Sequence, residues 1–372
     1  MDSHALYIHI PFCRHRCTYC DFNTYTTVRE LQVPYVTALI REIRQVGVSA
    51  QQSGEQLSVH SVFFGGGTPS LLTAAEVGDI LSAVHESVAL APNAEITLEA
   101  NPTTVDKSYL VALREAGVNR LSYGVQSALA GELELLGRDH DFETAVRALQ
   151  TARAAGFDNV NLDLIYGLPG QTVSDWEKSV TAALAIRPEH LSFYCLTIEP
   201  GTPMQRWLQN GTIAPPDGDV AADQYQLAGD LLAAEGYEHY EISNWALPDH
   251  ECRHNLTYWR DEPYLGLGAG AHGYAGGYRY QIVRQPRVYI RRMENEPPGV
   301  FPLSAAVAES HVVDRPEAMS DMVITQLRLL REGWTWSSLP AASVHRLMRP
   351  TMGPCRNWRS GDCCANRTIA FC

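Results

Sequence analysis

The fold is decided by residues 6–20, which read LYIHIPFCRHRCTYC. The apolar and aromatic run at 6–10 predicts a strand, and three cysteines follow it directly in the spacing Cys13-x3-Cys17-x2-Cys20. All three thiols therefore lie on one loop at the mouth of the sheet. Thiolates held that close together suit a soft metal centre.

Similar strands recur along the first 200 residues and alternate with stretches of helical period. Strands are predicted at 6–10, 60–64, 95–99, 119–125, 159–165 and 190–198, and helices at 34–47, 73–88, 106–115, 142–155 and 173–185. Six βα units predict an α/β fold: an open, partial (β/α)6 barrel with its site at the carboxyl ends of the strands. A flat doubly wound sheet gives much the same pattern, so the sequence alone does not decide whether the sheet curves into a barrel.

Two proline-rich breaks, at 214–219 (APPDGD) and 296–299 (EPPG), help to divide the chain into three predicted regions. They are 1–213, the barrel; 214–285, a segment that completes it, with a helix at about 220–235; and 286–372, a smaller C-terminal α+β or helical region with a helix at about 316–331. Two helix starts have capping-box spacing, Thr73 with Glu76 and Ser174 with Glu177.

Composition limits the partners and the location of the protein. The 372 residues carry a formal charge of −13, which argues against a broad nucleic-acid or anionic-membrane surface. No apolar run approaches the roughly 18 residues of a membrane span, and the N-terminus lacks the features of a signal peptide. We expect a cytoplasmic protein with no nucleic-acid partner and no transmembrane segment; peripheral membrane contact stays open.

The nine cysteines are an odd number, which in a reducing compartment argues against a disulfide framework. Three readings of the N-terminal trio stay open: an iron–sulfur cluster, a structural zinc site, or unconnected buried cysteines. Zinc needs a fourth ligand, and the nearby sequence offers no obvious one.

Other residues are placed to face the same mouth. The turn GGGTP at 65–69 follows a predicted strand, and its glycines allow a ligand to approach the backbone closely. Glu99, Gln126 and Asp163 are polar residues in or at the ends of apolar strands, which indicates a ligand rather than packing. Arg138, on a short connection, reaches the same mouth or is a solvated surface charge.

The cysteine loop after the first strand, with aromatic Tyr19 before its third cysteine, resembles that of the radical S-adenosylmethionine (SAM) superfamily. The resemblance implies a 4Fe-4S cluster on Cys13, Cys17 and Cys20. Its open iron chelates the methionine end of SAM, and reduction cleaves SAM to a 5'-deoxyadenosyl radical.

A closer resemblance, over about residues 5–335, is to the oxygen-independent coproporphyrinogen III oxidase group. It rests on YIHIPFC (7–13), GGGTPS (65–70), LEANP (98–102), YGVQS (123–127) and NLDLIYGLP (161–169). The residues that it implies for the SAM site are Tyr7, Tyr19, Gly66, Gly67, Thr68, Glu99, Gln126, Arg138 and Asp163.

That group contains true oxidases and HemW-type haem chaperones, and three features favour the chaperones. Phe22 stands where the oxidases have a fourth cysteine, and only six residues precede Tyr7, where the oxidases carry a longer segment. Residues 254–259, HNLTYW, match the H-N-x-x-Y-W motif of the chaperones.

Read physically, this motif pairs the His254 imidazole, able to ligate haem iron, with flat rings that can pack on a porphyrin. Core packing is the alternative. His272, in the glycine-rich run at 266–273, is a second candidate imidazole, and Cys252 is either a soft axial ligand or an inert thiol.

The sequence therefore leaves two candidate functions for the protein. The first is a haem chaperone that binds haem, a 4Fe-4S cluster and SAM, and transfers haem to an acceptor protein that the sequence does not identify. The second is an oxygen-independent coproporphyrinogen III oxidase, which decarboxylates two propionates oxidatively to give protoporphyrinogen IX.

From about residue 340 the family-like pattern fades. Four of the nine cysteines fall in the last 18 residues, at 355, 363, 364 and 372. We hypothesise a frameshift or abnormal end; the alternatives are a divergent, partly disordered tail or a metal site in the tail.

Overall fold

The structure, a computed structural model that describes residues 3–333, contains one twelve-stranded mixed sheet. Six strands, paired in parallel, form the repeated units: β1 (Ser3–Ile10), β2 (Ser58–Gly66), β3 (Ala89–Ala100), β4 (Arg120–Gln126), β5 (Val160–Tyr166) and β6 (His190–Cys195). The other six are β7 (Glu238–Glu241), β8 (Asn244–Ala246), β9 (Tyr264–Leu267), β10 (His272–Ala275), β11 (Tyr278–Ile282) and β12 (Val307–Val312).

The order of the strands answers the question of closure. Across the sheet it is β12-β11-β10-β9-β1-β2-β3-β4-β5-β6-β8-β7. The first six strands follow one another without the reversal that a doubly wound sheet requires. Because β12 and β7 stand at opposite ends, the barrel is open. The predicted α/β fold with a partial (β/α)6 barrel is confirmed.

Helices follow the strands of the barrel and continue into the C-terminal region. They are α1 (Gln32–Gln52), α2 (Ala74–Ser87), α3 (Lys107–Ala116), α4 (Ala130–Leu135), α5 (Phe142–Ala154), α6 (Val173–Ala185), α7 (Pro203–Gln209), α8 (Gly218–Ala234), α9 (Arg253–Trp259), α10 (Pro286–Asn295) and α11 (Arg315–Gln326). The sequence pattern missed α4, α7, α9 and α10. The first three have six or seven residues, which is too short to show a helical period.

Two local predictions need correction. The capping box at Thr73 and Glu76 is present, but the second box is formed by Thr172 and Asp175, because α6 begins at Val173. The helix predicted at 316–331 ends at Gln326. Beyond it, Leu329 forms a β-bridge with Glu241 and packs beside Tyr240, and these contacts replace another helical turn.

The two faces of the barrel strands have opposite character, since successive side chains point to opposite faces. In β4, Leu121, Tyr123 and Val125 are fully buried in the hydrophobic core. The alternate positions, Arg120, Ser122, Gly124 and Gln126, line a cavity inside the barrel.

The predicted boundaries at 213 and 285 separate segments that share this one sheet, since β8 pairs with β6 and β9 with β1. The three-region division stays a prediction. None of the helices within residues 3–333 has the length and apolar character needed to cross a membrane. The tail from about residue 340, on which we hypothesise a frameshift, lies outside the described residues.

Candidate functional site

A cavity of about 540 Å³ opens at the carboxyl ends of the barrel strands. The chain brings residues from distant stretches into its wall because parallel strands end at one edge of the sheet. The residues predicted for the cluster and the SAM site lie there, together with His254: Tyr7, Cys13, Cys17, Tyr19, Cys20, Gly66, Gly67, Thr68, Glu99, Gln126, Arg138, Asp163 and His254.

The cysteine loop that follows β1 is anchored by its backbone. Cys13 N donates to Tyr25 O at 3.0 Å. Thr18 donates through its N to Leu136 O at 3.2 Å and through Oγ1 to Leu135 O at 2.7 Å. Met204 N in turn donates to Thr18 O at 3.0 Å. The three thiols are therefore presented at the cavity wall by a loop that is tied to its neighbours.

The thiols suit a polynuclear cluster. Burial raises the pKa of Cys13 to about 11, so it needs the positive charge of a metal centre to become a ligand thiolate. Two donors already face sulfur: Thr68 Oγ1 lies 3.6 Å from Cys13 Sγ, and Arg138 Nη1 lies 3.3 Å from Cys17 Sγ. Within residues 3–333 no three His, Cys, Asp or Glu side chains converge tightly enough for a single metal ion.

The glycine turn after β2 is clamped against the cysteine loop. Gly67 N donates to Ile10 O and Thr68 N to Phe12 O, both at 2.8 Å. A Cβ at Gly67 would lie 2.6 Å from Phe12 O. Gly66, at φ 112°, donates its N–H to Glu99 Oε2 at 3.2 Å. The turn therefore needs glycine both for its backbone conformation and for its close approach to the loop.

Two carboxyl groups share the interior of the cavity. Burial, together with the nearby Asp163, raises the pKa of Glu99 to about 8. Asp163 accepts from Asn161 Nδ2 at 2.8 Å and from Ser122 Oγ at 3.2 Å. Burial also raises the pKa of Asp163, against these hydrogen bonds. A pair of this kind favours a cationic ligand, which would draw Glu99 into its ionised form.

The raised pKa of Glu99 predicts that the stability of the folded chain depends on pH. Its folded pKa of about 8 lies above the ordinary value of 4.5, so the folded chain keeps a proton that the unfolded chain releases between these pH values. The contribution of Glu99 to the free energy of unfolding is complete below about pH 4.5 and is lost as pH rises through about 8. Between pH 5 and pH 8.5 wild type should lose this stabilisation and Glu99→Gln should not. The free energy of unfolding of the variant minus that of wild type should therefore rise by more than about 1 kcal/mol over this range.

Urea unfolding of the cluster-free chain at several pH values measures this gain. Glu134→Gln, at an exposed position of α4, is the matched control, and its difference from wild type should not change with pH. A Glu99→Gln curve parallel to that of wild type would contradict the assigned role.

Strain and unsatisfied polar atoms mark the wall opposite the glycine turn. Gln126 adopts φ 75°, a conformation that costs a non-glycine residue about 1–3 kcal/mol. Its buried Oε1 and the Nε of Arg138 have no hydrogen-bond partner among residues 3–333. Arg138 is oriented by Nη2, which donates to Gly124 O at 2.6 Å. Buried atoms of this kind in a cavity wall indicate a bound ligand.

The two tyrosines of the cavity wall, Tyr7 and Tyr19, have different neighbours. The Tyr7 hydroxyl pairs with His9 Nδ1 at 3.1 Å, and its ring is 6.3 Å from the Phe63 ring. Tyr19 packs on a small apolar cluster that contains Leu136 and Met204. Tyr19 therefore offers a ring next to the cysteine loop, where the resemblance places adenine.

His254 lies on α9, a short helix that contains the whole HNLTYW motif. Its Nδ1 is 3.0 Å from Ser61 Oγ and its Nε2 is 2.9 Å from Tyr258 OH, while its ring stacks on Phe63 at 5.0 Å. Burial lowers its pKa to about 3, so the ring is neutral. Because both nitrogens are engaged, this conformation leaves neither of them free to ligate iron.

The rest of the motif divides between the cavity and the outside. Asn255 and Tyr258 line the cavity. Trp259 instead lies under the guanidinium of Arg328, 4.2 Å from the ring centroid, and does not line the cavity. Cys252 is fully buried and also lies outside the wall.

A buried carboxylate that sequence reasoning missed fixes α9 in place. Glu95 of β3 accepts from Arg253 N at 3.0 Å, from His254 N at 3.1 Å and from the Cys252 thiol at 3.5 Å. The buried Arg120 guanidinium contributes opposite charge nearby. Glu95 thus satisfies the first amides of the helix that brings His254 and Tyr258 to the cavity.

We predict that Glu95→Ala lowers the free energy of unfolding by about 2–5 kcal/mol, since it leaves two buried amides without acceptors. Glu95→Gln keeps one acceptor oxygen and should lose clearly less. Denaturant titration of the three proteins measures the series. Equal stability of the Ala variant and wild type would show that Glu95 does not fix α9.

Arg120, Asn161 and Tyr194 were also missed, although they line the cavity. Arg120 Nε is buried and without a partner among residues 3–333. Their signal in the sequence is alternation: in β4, β5 and β6 every second residue is apolar and faces the helices, and the residues between them face inward. Counting inward positions, rather than polar residues at strand ends, would have found these three.

Comparisons with known proteins agree with this geometry. Residues 7–183 match the family described as the Radical SAM superfamily. The chain is 40% identical to the heme chaperone HemW of Synechocystis sp., over 91% of this chain and 81% of that protein. It is 42% identical to the heme chaperone HemW of Escherichia coli, over 72% of this chain and 69% of that protein.

Among solved structures, the chain is similar to the coproporphyrinogen III oxidase HemN from Escherichia coli. The TM-score is 0.74 and the identity 26%, over 88% of this chain and 76% of that chain. Sequence identity is thus higher to the HemW proteins than to this oxidase. The chain belongs to the HemW family of the Radical SAM superfamily, and membership of that superfamily implies a 4Fe-4S cluster and SAM.

Proposed function

We propose that this protein is a haem chaperone, which binds haem and passes it to an acceptor protein. The observation that carries the proposal is the identity of 40–42% to heme chaperone HemW proteins, against 26% to the oxidase HemN. Phe22 supports it from the chain itself, because it follows the cysteine loop where the oxidases have a fourth cysteine.

We further propose that Cys13, Cys17 and Cys20 hold the cluster and that the cavity wall binds SAM. Such a cluster, when bound, would supply the electron for the reductive cleavage of SAM. The chain contributes the Glu99 carboxyl for an ammonium group, and the unpaired atoms of Gln126 and Arg138 as an acceptor and a donor. Asp163, Tyr7 and Tyr19 complete the wall.

Haem is the cargo in this proposal. His254 was predicted to bind it, and the prediction requires the ring to give up its contact with Ser61 or Tyr258. In its present position the side chain holds Tyr258 at the cavity wall. The acceptor protein and the cytoplasmic location stay predictions.

The second candidate is a coproporphyrinogen III oxidase. The specific observation in its favour is the similarity to HemN, with a TM-score of 0.74 over 88% of the chain. Fold similarity carries less weight here than identity, because one fold supports different functions.

An anaerobic assay separates the two candidates. Cluster-loaded protein is incubated with SAM, a reductant and coproporphyrinogen III, and the decarboxylated porphyrin and 5'-deoxyadenosine are both quantified. A known oxidase in the same reagents serves as the positive control. We expect no catalytic porphyrin product from this protein. Repeated turnover of coproporphyrinogen III would replace the chaperone proposal by the oxidase.

A further inference from the structure

A second cavity, of about 420 Å³, opens beside the first and shares Tyr7, Phe22, Glu99 and Tyr258 with it. Its volume is within the range of small-molecule sites, which is about 300–1,000 Å³. Its other wall comes from β9, β10 and β11, which the βα repeats do not include. Because the shared wall includes Tyr7, Gly66 and Glu99 of the proposed SAM site, a ligand in this cavity would lie directly against that site.

The register of the strands brings an imidazole to this cavity. Ala5 of β1 is opposite Tyr264 of β9, and Tyr264 is opposite Tyr274 of β10. His272 precedes Tyr274 by two residues, so it shares a face of the sheet with Tyr264 and with Tyr7. The face that carries the predicted site thus continues without a break to His272.

His272 differs from the other histidines near this face in its hydrogen bonding. His9 pairs through Nδ1 with Tyr7 OH and through Nε2 with Asn23 O, and both nitrogens of His254 are likewise engaged. His272 is exposed, and its ring makes no hydrogen bond within residues 3–333. Burial and the nearby Arg284 lower its pKa, which favours the neutral form that ligates iron.

An anionic and aromatic ligand fits the groups around His272. Arg284 lines the cavity, and its side chain forms no ion pair within the described part of the chain. Its backbone is held at the cavity wall because its carbonyl accepts from Asn23 Nδ2 at 2.9 Å and from Tyr25 OH at 3.1 Å. A guanidinium in this setting suits a carboxylate.

Aromatic rings complete the surroundings of the imidazole. Tyr258 and Tyr264 meet edge to face, with centroids 4.7 Å apart. Phe22, at the shared wall, is 63% exposed and offers an apolar ring at the edge of the cavity. An imidazole, a guanidinium and apolar rings are the groups that a metalloporphyrin with propionate side chains requires.

We propose that the second cavity is the haem seat: His272 supplies an axial ligand to the iron, Arg284 pairs with a propionate, and Phe22 covers the porphyrin edge. This inference rests on the proposed function. It assigns His254 a positioning role, through Tyr258, and assigns the ligand role to a residue outside the HNLTYW motif.

The experiment titrates ferric haem into the cluster-free chain and follows the Soret band and the electron paramagnetic resonance of the iron. Wild type is compared with His272→Ala, with His254→Gln, and with His85→Ala as a control at an exposed position of α2. We expect His272→Ala to weaken binding at least about tenfold and to lose the spectrum of a nitrogen-ligated iron. Added imidazole should restore that spectrum, which it would not do if His272 only supported the fold.

Retention of the wild-type spectrum by His272→Ala, or its loss in His254→Gln alone, would overturn the assignment. The imidazole rescue decides the matter even if His254→Gln does not fold. Absence of saturable haem binding by wild type would instead refute the proposed function, and the haem seat with it.

Arg284 is tested separately with the dimethyl ester of haem, which lacks the propionate charges. Wild type should bind haem more tightly than the ester, and Arg284→Gln should reduce that preference by about tenfold. An unchanged preference would remove Arg284 from the haem seat.

Discussion

Cys17→Ala protein, reconstituted anaerobically with iron and sulfide, should retain almost none of the about four iron and four sulfide ions expected per chain. The reason is geometric. The loop is anchored at Cys13 and Thr18 and offers three thiols, so the loss of one leaves two. Among residues 3–333 no trio of His, Cys, Asp or Glu is close enough to form a single-metal site that could take the place of the lost thiol. Iron and acid-labile sulfide analysis measures the outcome.

Cys195→Ala is the matched control, because Cys195 is an exposed cysteine in the wall of the same cavity but outside the loop. It should retain the iron and sulfide content of wild type. The Cys17→Ala chain should still fold, since the loop is tied down through Thr18 rather than through sulfur. A Cys17→Ala protein with full cluster content would refute the assignment of the three cysteines.

Gly66→Ala should weaken SAM binding by about tenfold or more, which corresponds to about 1.4 kcal/mol. A methyl group at this position would lie 2.5 Å from Cε1 of the His9 ring, and the backbone φ of 112° is strained for alanine. Relief of either strain moves the Gly66 N–H away from Glu99 and disturbs the turn next to the cysteine loop. Equilibrium binding of SAM to the cluster-loaded protein measures the effect.

Gly54→Ala is the control that introduces the backbone strain of a positive φ without a steric clash. Gly54 also has a positive φ, of 79°, but a Cβ there meets no atom within 4 Å. It should lower stability modestly and leave SAM affinity unchanged. If both variants bind SAM as wild type does, the glycine turn is not part of the SAM site.

The parts of the site that sequence reasoning identified are local ones. The cysteine loop, the glycine turn and the capping box at Thr73 each depend on residues within a few positions of one another, so their spacing carries the information. Glu99, Gln126 and Asp163 were recognisable because polar residues interrupt apolar strands near their carboxyl ends. The wall of one cavity contains Glu99, Gln126 and Asp163 together with the three cysteines and the glycine turn at Gly66 and Gly67.

The missed features depend on distant contacts. Glu95 caps α9 through residues that are 157–159 positions away, and His254 is bonded to Ser61 across 193 positions. No local pattern shows that His254 has both nitrogens engaged, or that the β9–β11 strands extend the cavity face to His272. For the same reason the motif alone could not distinguish an iron ligand from a residue that positions a helix.

Whether this protein carries haem can be measured as the amount of haem that the purified protein retains. Cluster-loaded protein is mixed with excess haem, passed through gel filtration, and assayed for haem and protein. We expect haem binding to saturate near one haem per chain, with the cluster content unchanged. Protein that emerges without haem, while its cluster and SAM site are intact, would contradict the claim.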